Sequence, residues 1–447
     1  MLIKGIQIEN VKTFRADGFK VDLNFARPDG SLPRWIAVAG RNGAGKSTFL
    51  QALALAIAGP SAARTLRETY ADWINDSGTE GYAQAQLKFS DSDGFGPGRK
   101  PTFDPWAGLR WTRQVEGPEP SIERAKQAGR WDPSRGPWSE NPQGWFLCGY
   151  GPFRRLSSVP TEAQRLMMTP GRVTSLASLF REEASLSESV LWLQQVYLRR
   201  LEGVPNAEQT EEAILELLND GLLPEGMVVT RVTSEGLWVR TPAGPELPLR
   251  SLSDGYRTVT ALVIDIVRLL VSTYGSLKRV QGVERIAFDH EGVVLIDEAD
   301  LHIHVSWQQR IGFWLKEHFP RLQFIVSTHS PFICQAADER GLIRLPAPGE
   351  DDTARVVDGD LFNRVVNGSA DDAVITDLFG LETPYSPKTV ALRNEAAALV
   401  VQASSGQIDD AGRRKLVSIR HVLPKTVSTD VAAAIRQLSL DLDDAED

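Results

Sequence analysis

The sequence predicts an α/β fold with an antiparallel β subdomain, a helical lobe and a helical C-terminal tail. Three short apolar runs, at residues 35–39, 293–296 and 324–327, have the composition of buried strands, and polar residues follow each of them. Residues 19–25 and 83–89 instead alternate apolar with polar side chains, which is typical of half-buried antiparallel strands. Elsewhere, apolar residues recur at helical spacing and predict helices.

A glycine-rich loop follows the first buried strand and fits a phosphate-binding pattern. Residues 40–47 read GRNGAGKS, which matches G-x-x-x-x-G-K-[ST], and an apolar helix follows that we expect to close at Gly59-Pro60. In this pattern the glycines let backbone N–H groups face a phosphate, while the lysine supplies charge and the serine a Mg²⁺ ligand. A plain surface turn is the alternative, which the flanking strand and helix disfavour. The predicted nucleotide-binding residues here are Gly40, Arg41, Asn42, Gly43, Ala44, Gly45, Lys46, Ser47 and Thr48.

Two other strand ends carry side chains suited to a bound nucleoside triphosphate. Asp297 and Glu298 follow the second apolar run; Asp297 would bind Mg²⁺ together with Ser47, and Glu298 would activate the attacking water. His329 follows the third run, where it could donate to the γ-phosphate. The alternatives are a carboxylate pair that caps a turn and a histidine with a structural role.

A third element lies at the start of a long apolar helix, residues 258–274. Ser253 and Gly255 precede that helix, and the N–H groups at a helix N-terminus attract anions. An ordinary N-cap by Ser253 or Asp254 is the alternative interpretation.

Composition limits the choice of function classes. The 447 residues are 42% hydrophobic and carry a net charge of −9, which suits two or three soluble domains without a general attraction to nucleic acid or membranes. Cys148 and Cys334 stand in apolar surroundings and predict reduced, buried thiols. Neither the N-terminal residues nor the longest apolar run, residues 261–271, predicts secretion or a membrane span, so we expect a cytoplasmic protein.

The region from residue 94 to residue 152 is rich in Gly, Pro, Trp and Arg. Between residues 99 and 155, ten basic residues stand against six acidic ones, and five tryptophans fall in the same window. Arginines on phosphates with tryptophans as stacking platforms would suit DNA. The alternative is a loop-rich insertion whose tryptophans pack in the core.

Together these motifs resemble the ABC-type ATPase heads of the SMC, RecF and OLD-like group, so the fold class is a P-loop ABC-ATPase head. Residues 252–255 stand where this family has its Leu-Ser-Gly-Gly signature, and Lys12 stands where a basic residue often faces the nucleotide. The resemblance identifies Asp297 and Glu298 as Walker B, residues 299–302 as the D-loop and His329 as the switch histidine. It implies ATP and Mg²⁺ as cofactors and a homodimer in which Ser253 of one copy completes the ATP site of the other.

Two departures from the family pattern imply slow turnover. Asp254 stands where the family usually has glycine, and no glutamine occupies residues 150–155, where the Q-loop should begin. Coupling between ATP hydrolysis and the helical lobe would then depend on other residues.

Residues 149–154, 296–298 and 376–380 look like those of stand-alone bacterial anti-phage ATPases of the Septu and retron type. That resemblance implies an ATPase that controls a separate effector such as a nuclease. A DNA-repair ATPase of RecF or SMC type and a nucleotide-switched scaffold with little turnover are the alternatives, with DNA a possible partner.

The predicted organisation has four parts. They are an N-terminal ATPase lobe with the Trp/Arg-rich insertion (residues 1–159), a helical lobe (160–226), a C-terminal ATPase lobe (227–345) and a helical C-terminal region (346–447).

Overall fold

The computed structural model of the chain describes residues 1–15, 19–125, 131–152, 171–182, 186–223, 226–242, 244–350 and 352–423. Contacts divide the chain into two units, Met1–Gly380 and Leu381–Asp447. The boundaries that the sequence suggests inside the first unit stay a prediction.

A six-stranded sheet with the order β14-β13-β3-β12-β11-β7 forms the centre of the first unit. Its neighbours are parallel except for β14. The strands are β3 (Trp35–Ala39), β7 (Leu147–Tyr150), β11 (Gly292–Ile296), β12 (Leu322–Ser327), β13 (Leu342–Arg344) and β14 (Arg355–Val356). Because Ile296 lies beside both Val326 and Tyr150, and Ser327 beside Val38, the ends of four strands meet at one edge. Ligands of open α/β sheets bind at such an edge.

A five-stranded antiparallel sheet, with the order β2-β1-β4-β5-β6, covers the first helix. Its strands are β1 (Leu2–Glu9), β2 (Val21–Asn24), β4 (Glu80–Lys88), β5 (Trp106–Thr112) and β6 (Ser121–Arg124). Alternate residues such as Ile6, Ala83 and Leu109 are buried in one core with Phe49 and Leu53 of that helix. The alternation at residues 83–89 therefore predicted this layer correctly.

The helix that follows the phosphate loop breaks at the Gly59-Pro60 pair, as the sequence predicts. Gly59 has φ +88° and ψ 174°, which are not helical, so α1 (Lys46–Leu66) consists of two helical segments on either side of it. Proline at position 60 cannot donate to the carbonyl of Ala56, and the Trp138 indole N–H donates to that oxygen instead, at 3.1 Å. A Cβ at Gly59 would lie 2.6 Å from Trp138 Cγ, so Trp138 packs against the kink of α1. Helix α1 is long and apolar enough to cross a membrane, yet 72% of its most apolar window is buried inside the fold.

Helices and a small sheet lie between β7 and β11. The helices are α2 (Arg172–Phe180), α3 (Ser187–Leu201), α4 (Ala207–Asn219) and α5 (Asp254–Tyr274), and an antiparallel sheet of β8 (Val228–Thr233), β9 (Gly236–Arg240) and β10 (Glu246–Pro248) precedes α5. This confirms the helical prediction from residue 172 onward, whereas residues 161–170 lie outside the described ranges. Helix α5 packs against α3 and α4.

The remaining helices of the first unit are short. They are α6 (Val305–Gln308), α7 (Ile311–His318), α8 (Pro331–Gln335), α9 (Gly359–Val366) and α10 (Ala370–Val374). Cys148 in β7 and Cys334 in α8 are free and buried, as the sequence predicts. The second unit contains a helical hairpin of α11 (Pro387–Ser404) and α12 (Asp410–Val422), in which Leu416 and Ile419 are buried.

Candidate nucleotide-binding site

The loop between β3 and α1 has the backbone of a phosphate cradle. Gly43 and Gly45 have φ +81° and +89°, which L side chains rarely adopt, and a Cβ at Gly40 would lie 2.6 Å from the carbonyl oxygen of Leu345. The loop ends at the N-terminus of α1, whose first turn carries no acidic residue. A helix N-terminus with tightly turned glycines before it attracts anions.

The Lys46 side chain is buried against the backbone of this loop. Its ammonium donates to the carbonyl oxygens of Gly40 at 2.9 Å and Arg41 at 3.3 Å, and the residue is only 7% exposed. Burial lowers the pKa of Lys46, and the negative charges of Asp297, Glu298 and Asp300 oppose that shift. All three carboxylates that follow β11 are therefore near enough to the ammonium to affect its pKa.

One hydroxyl orients both Walker B residues. Ser327, at the end of β12, donates to Asp297 Oδ1, and its oxygen accepts from the backbone N–H of Glu298 at 2.8 Å. Asp297 is 2% exposed, whereas Glu298 is half-buried. Glu298 also has φ +47°, a conformation that is uncommon for a non-glycine residue. The bonds to Ser327 hold this strained turn in place.

Asp300 connects the D-loop to the switch histidine. Its carboxylate accepts from the Thr328 hydroxyl and from the backbone N–H of His329 at 3.1 Å. The His329 side chain remains accessible to solvent, but partial burial and the nearby Lys46 charge lower its pKa below the usual 6.5. The imidazole is thus held neutral at pH 7 with a proton to donate.

Ser253 and Gly255 form a separate surface. No hydrogen bond or ion pair joins either residue to residues 40–48 within the described part of the chain. Ser253 occupies the N-cap position of α5, yet its exposed side chain makes no capping bond. Gly255 touches the D-loop, because a Cβ there would lie 2.6 Å from the His302 carbonyl oxygen.

A cleft of about 460 Å³ opens at this surface, lined by the signature, the D-loop and the start of α6. The charge that Asp254 brings here is balanced, since its carboxylate pairs with Arg257 at 2.9 Å. The departure from the family's glycine at position 254 therefore adds little net negative charge.

Comparison with known proteins agrees with this geometry. Residues 6–127 match the family described as "AAA domain", and residues 178–335 match "AAA domain, putative AbiEii toxin, Type IV TA system". The chain is 26% identical over 332 residues to Septu protein PtuA of Bacillus mycoides, and 46% identical over 90 residues to the Retron Vc95 probable ATPase of Vibrio cholerae.

The chain is thus similar to a Septu protein and to a retron ATPase. The aligned regions cover 74% and 20% of this chain, but only 38% and 16% of the length of the two relatives. Among solved structures, an SMC head bound to the C-terminal winged-helix domain of ScpA is 17% identical, with a TM-score of 0.46 over 80% of this chain and 97% of that one.

The N-terminal segment contributes a hydroxyl that sequence reasoning missed. Lys12, predicted to face the nucleotide, pairs with Asp72 at 3.1 Å and lies over the Trp73 ring. Beside it, the Thr13 hydroxyl lies 2.5 Å from where a Cβ of Gly45 would stand, and this oxygen is buried without a hydrogen-bond partner in the structure. Thr13 therefore places a polar group directly beside Gly45 of the phosphate loop.

The segment after β13 also contacts the phosphate loop. Leu345 lies against Gly40 and Pro348 against Gly43, and the Arg41 guanidinium donates to the carbonyl oxygen of Gly380 at 2.9 Å. Arg344 holds this segment through Glu350 and Asp352, each at 2.7 Å, and through the Asp377 carbonyl oxygen. No local pattern in the sequence marks these contacts, because they depend on how the chain returns to the sheet.

Much of the described part of the Trp/Arg-rich region packs in the core. Trp111 contacts Tyr70 and Trp73, and Trp131 stacks on Trp145. Arg110 pairs with Glu80 and Glu123, while Arg113 and Arg135 donate mainly to backbone carbonyls. The packing interpretation is confirmed for these residues, whereas Lys126, Arg130, Arg154 and Arg155 lie outside the described ranges.

Proposed function

We propose that this chain hydrolyses ATP at a site that a second copy of the chain completes, and that it thereby controls a separately encoded effector, such as a nuclease, in cytoplasmic anti-phage defence. The carrying observation is the division of the motif residues into two groups. Lys46, Asp297, Glu298 and His329 converge at one sheet edge, while Ser253 and Gly255 face solvent on another surface.

The donor set fits Mg²⁺. The exposed hydroxyl of Ser47 and the carboxylate of Asp297 are oxygen ligands of the kind that this ion takes in addition to phosphate oxygens and water. When bound, the ion would neutralise charge that develops on the β- and γ-phosphates.

The protein groups then have distinct tasks. Lys46 would contact the phosphates with its ammonium, and the loop amides would hold the β-phosphate. Glu298 would accept a proton from the attacking water, and the neutral His329 would donate to the γ-phosphate. From the opposite copy, the Ser253 hydroxyl and the N-terminus of α5 would close on the same phosphate.

The effector role rests on the relatives, which are a Septu protein and retron ATPases. The aligned segments are a minor part of those proteins, so the effector of this chain is proposed from similarity over a part of each relative. DNA remains a possible partner.

Mixing two inactive variants tests the composite site. Lys46→Ala disables the phosphate loop and Ser253→Arg disables the signature, so neither protein should hydrolyse ATP alone. A mixed dimer has one intact site, and random pairing should restore about a quarter of the wild-type rate.

No recovery on mixing would contradict a site shared between copies. Tight ATP binding by the wild type without turnover would instead indicate a nucleotide-switched scaffold.

A further inference from the structure

A buried polar cluster lies between the central sheet and the helix that begins at the signature. The Tyr150 hydroxyl, at the end of β7, donates to Asp265 Oδ2 at 2.9 Å, and Arg268 pairs with the same carboxylate at 2.8 Å. Tyr150 and Asp265 are 1% and 2% exposed. Burial raises the pKa of Tyr150 well above its usual value, so the phenol stays a donor. A carboxylate is tolerated at such depth only when it is paired and hydrogen-bonded.

Tyr150 also touches Walker B. Its strand, β7, runs parallel to β11, and its carbonyl oxygen accepts from the backbone N–H of Asp297 at 2.8 Å. The backbone of one residue is therefore fixed to the proposed metal ligand, while its side chain is fixed to α5. The sequence has no glutamine at residues 150–155, so another residue has to couple the sheet to the helices.

The position of Asp265 on α5 lets a small change in helix angle at this bond move Ser253 by a larger distance. Asp265 lies twelve residues after Ser253 in the sequence, which corresponds to about 18 Å along the helix axis. A tilt of about 5° at Asp265 would displace Ser253 by roughly 1.6 Å. Displacements of that size are enough to spoil a reacting geometry.

The cluster reaches the helical lobe as well. Glu188, in the first turn of α3, senses the charges of both Arg268 and Asp265, and burial raises the pKa of Glu188. Three elements, β7, α5 and α3, thus share one group of charges.

We propose that the Tyr150–Asp265 hydrogen bond positions the signature: it fixes the angle of α5, and with it Ser253, relative to the strand that carries Asp297. The inference rests on the proposed function, because it explains how the state of one copy's sheet reaches the surface that the other copy uses. Tyr150 is a positioning residue, since it touches Asp297 only through its backbone.

Tyr150→Phe removes the hydroxyl and leaves the ring. Tyr70→Phe is the matched control, because Tyr70 is also buried and donates one hydrogen bond at 2.8 Å, to Ala63, remote in sequence from the signature. We expect Tyr150→Phe to lower kcat about tenfold and to change ATP affinity, measured by calorimetry in the Glu298→Gln background, by less than twofold. Tyr70→Phe should keep kcat within twofold.

Hydrogen exchange at residues 253–258 separates this proposal from the proposed function. ATP should slow exchange there in the wild type and in Tyr70→Phe, and should have no such effect in Tyr150→Phe. This readout needs ATP binding but no hydrolysis, so a wild type without turnover would reject the ATPase function and still test the positioning role.

Asp265→Ala provides a second test, because it removes the acceptor of the Tyr150 hydroxyl. If both side chains act through this one hydrogen bond, kcat of the double variant should be no lower than kcat of the slower single variant. Additive losses in kcat, equal behaviour of the Tyr150 and Tyr70 variants, or a loss of ATP affinity parallel to the loss of kcat would each overturn the proposal.

Discussion

The phosphate side of the site, around Lys46, Asp297, Glu298 and His329, is held by internal bonds, whereas the signature side, around Ser253 and Gly255, is open. On the phosphate side, Ser327 and Asp300 fix the backbone and side chains that follow β11 and β12. On the signature side, the serine hydroxyl makes no capping bond and faces solvent. Under the proposed function, the phosphate side of one copy is preorganised for nucleotide contact, and the open signature side contacts the second copy.

The largest effect should come from Glu298→Gln, which removes the proposed base from the phosphate side. We expect hydrolysis to fall by about 10²–10⁴-fold, with ATP binding retained, because an amide cannot accept the proton from water. In the presence of ATP, a dimer of this variant should then accumulate, which size-exclusion chromatography with light scattering detects. Glu317→Gln, a change to an exposed residue that pairs with Arg285, is the control. An unchanged rate would exclude Glu298 as the base.

The next effect should come from Gly255→Val on the signature side. The new side chain meets the His302 carbonyl oxygen, so we expect roughly a 10²-fold loss of hydrolysis with normal ATP affinity of the monomer. Gly96→Ala is the control, because a Cβ there meets only ordinary van der Waals contacts, at 3.6–3.8 Å. A parallel loss of ATP affinity in the Gly255 variant would mean that the two sides are not separate.

Ser327→Ala should have a smaller effect on the phosphate side. Without the hydroxyl, Asp297 and the Glu298 amide lose a shared partner, and we expect about a tenfold lower kcat and a loss of about 1–3 kcal/mol of stability. Ser189→Ala, which removes a buried hydroxyl bonded to Leu186, controls for stability alone. Steady-state kinetics and thermal unfolding together distinguish the two. Equal kcat in both variants would count against an orienting role.

The smallest effect should appear in the pH profile. Because the pKa of His329 is lowered from 6.5, the ring is neutral at pH 7 and gains its second proton only at acidic pH. Both forms keep an N–H donor, so we expect the rate to change only in an acidic limb, where the added positive charge alters the contact with the γ-phosphate. The same profile for His329→Gln should lack this acidic limb. A decline that begins above pH 6.5 in the wild type would contradict the assignment.

Local patterns located the strand ends that carry the phosphate-side residues, because each motif follows its own strand, whereas the nucleotide-binding roles of these residues stay a prediction. Gly40 to Ser47 needed only the loop and its flanks. Ser327 was missed as an orienting group, because its role depends on β11 and β12 being neighbours in the sheet. The strand order brings these two chain segments together, and no spacing rule contains that information.

The Gly59-Pro60 pair was a reliable local signal, because the backbone at Gly59 is not helical. The Trp/Arg-rich region was not, because its composition allowed either a nucleic-acid surface or core packing. In the structure Trp111, Trp131 and Trp145 are buried, and most of the described arginines of the region are bonded internally. Composition alone cannot distinguish a buried aromatic cluster from an exposed one.

The contacts of the phosphate loop with Leu345, Pro348 and Gly380 have a practical consequence for protein engineering. The motifs end near residue 345, which invites truncation there to obtain a minimal ATPase. Such a protein would lose the contact of Pro348 with Gly43 and the acceptor of the Arg41 guanidinium, so its phosphate loop would be less well supported. A fragment that keeps both contacts has to extend through Gly380.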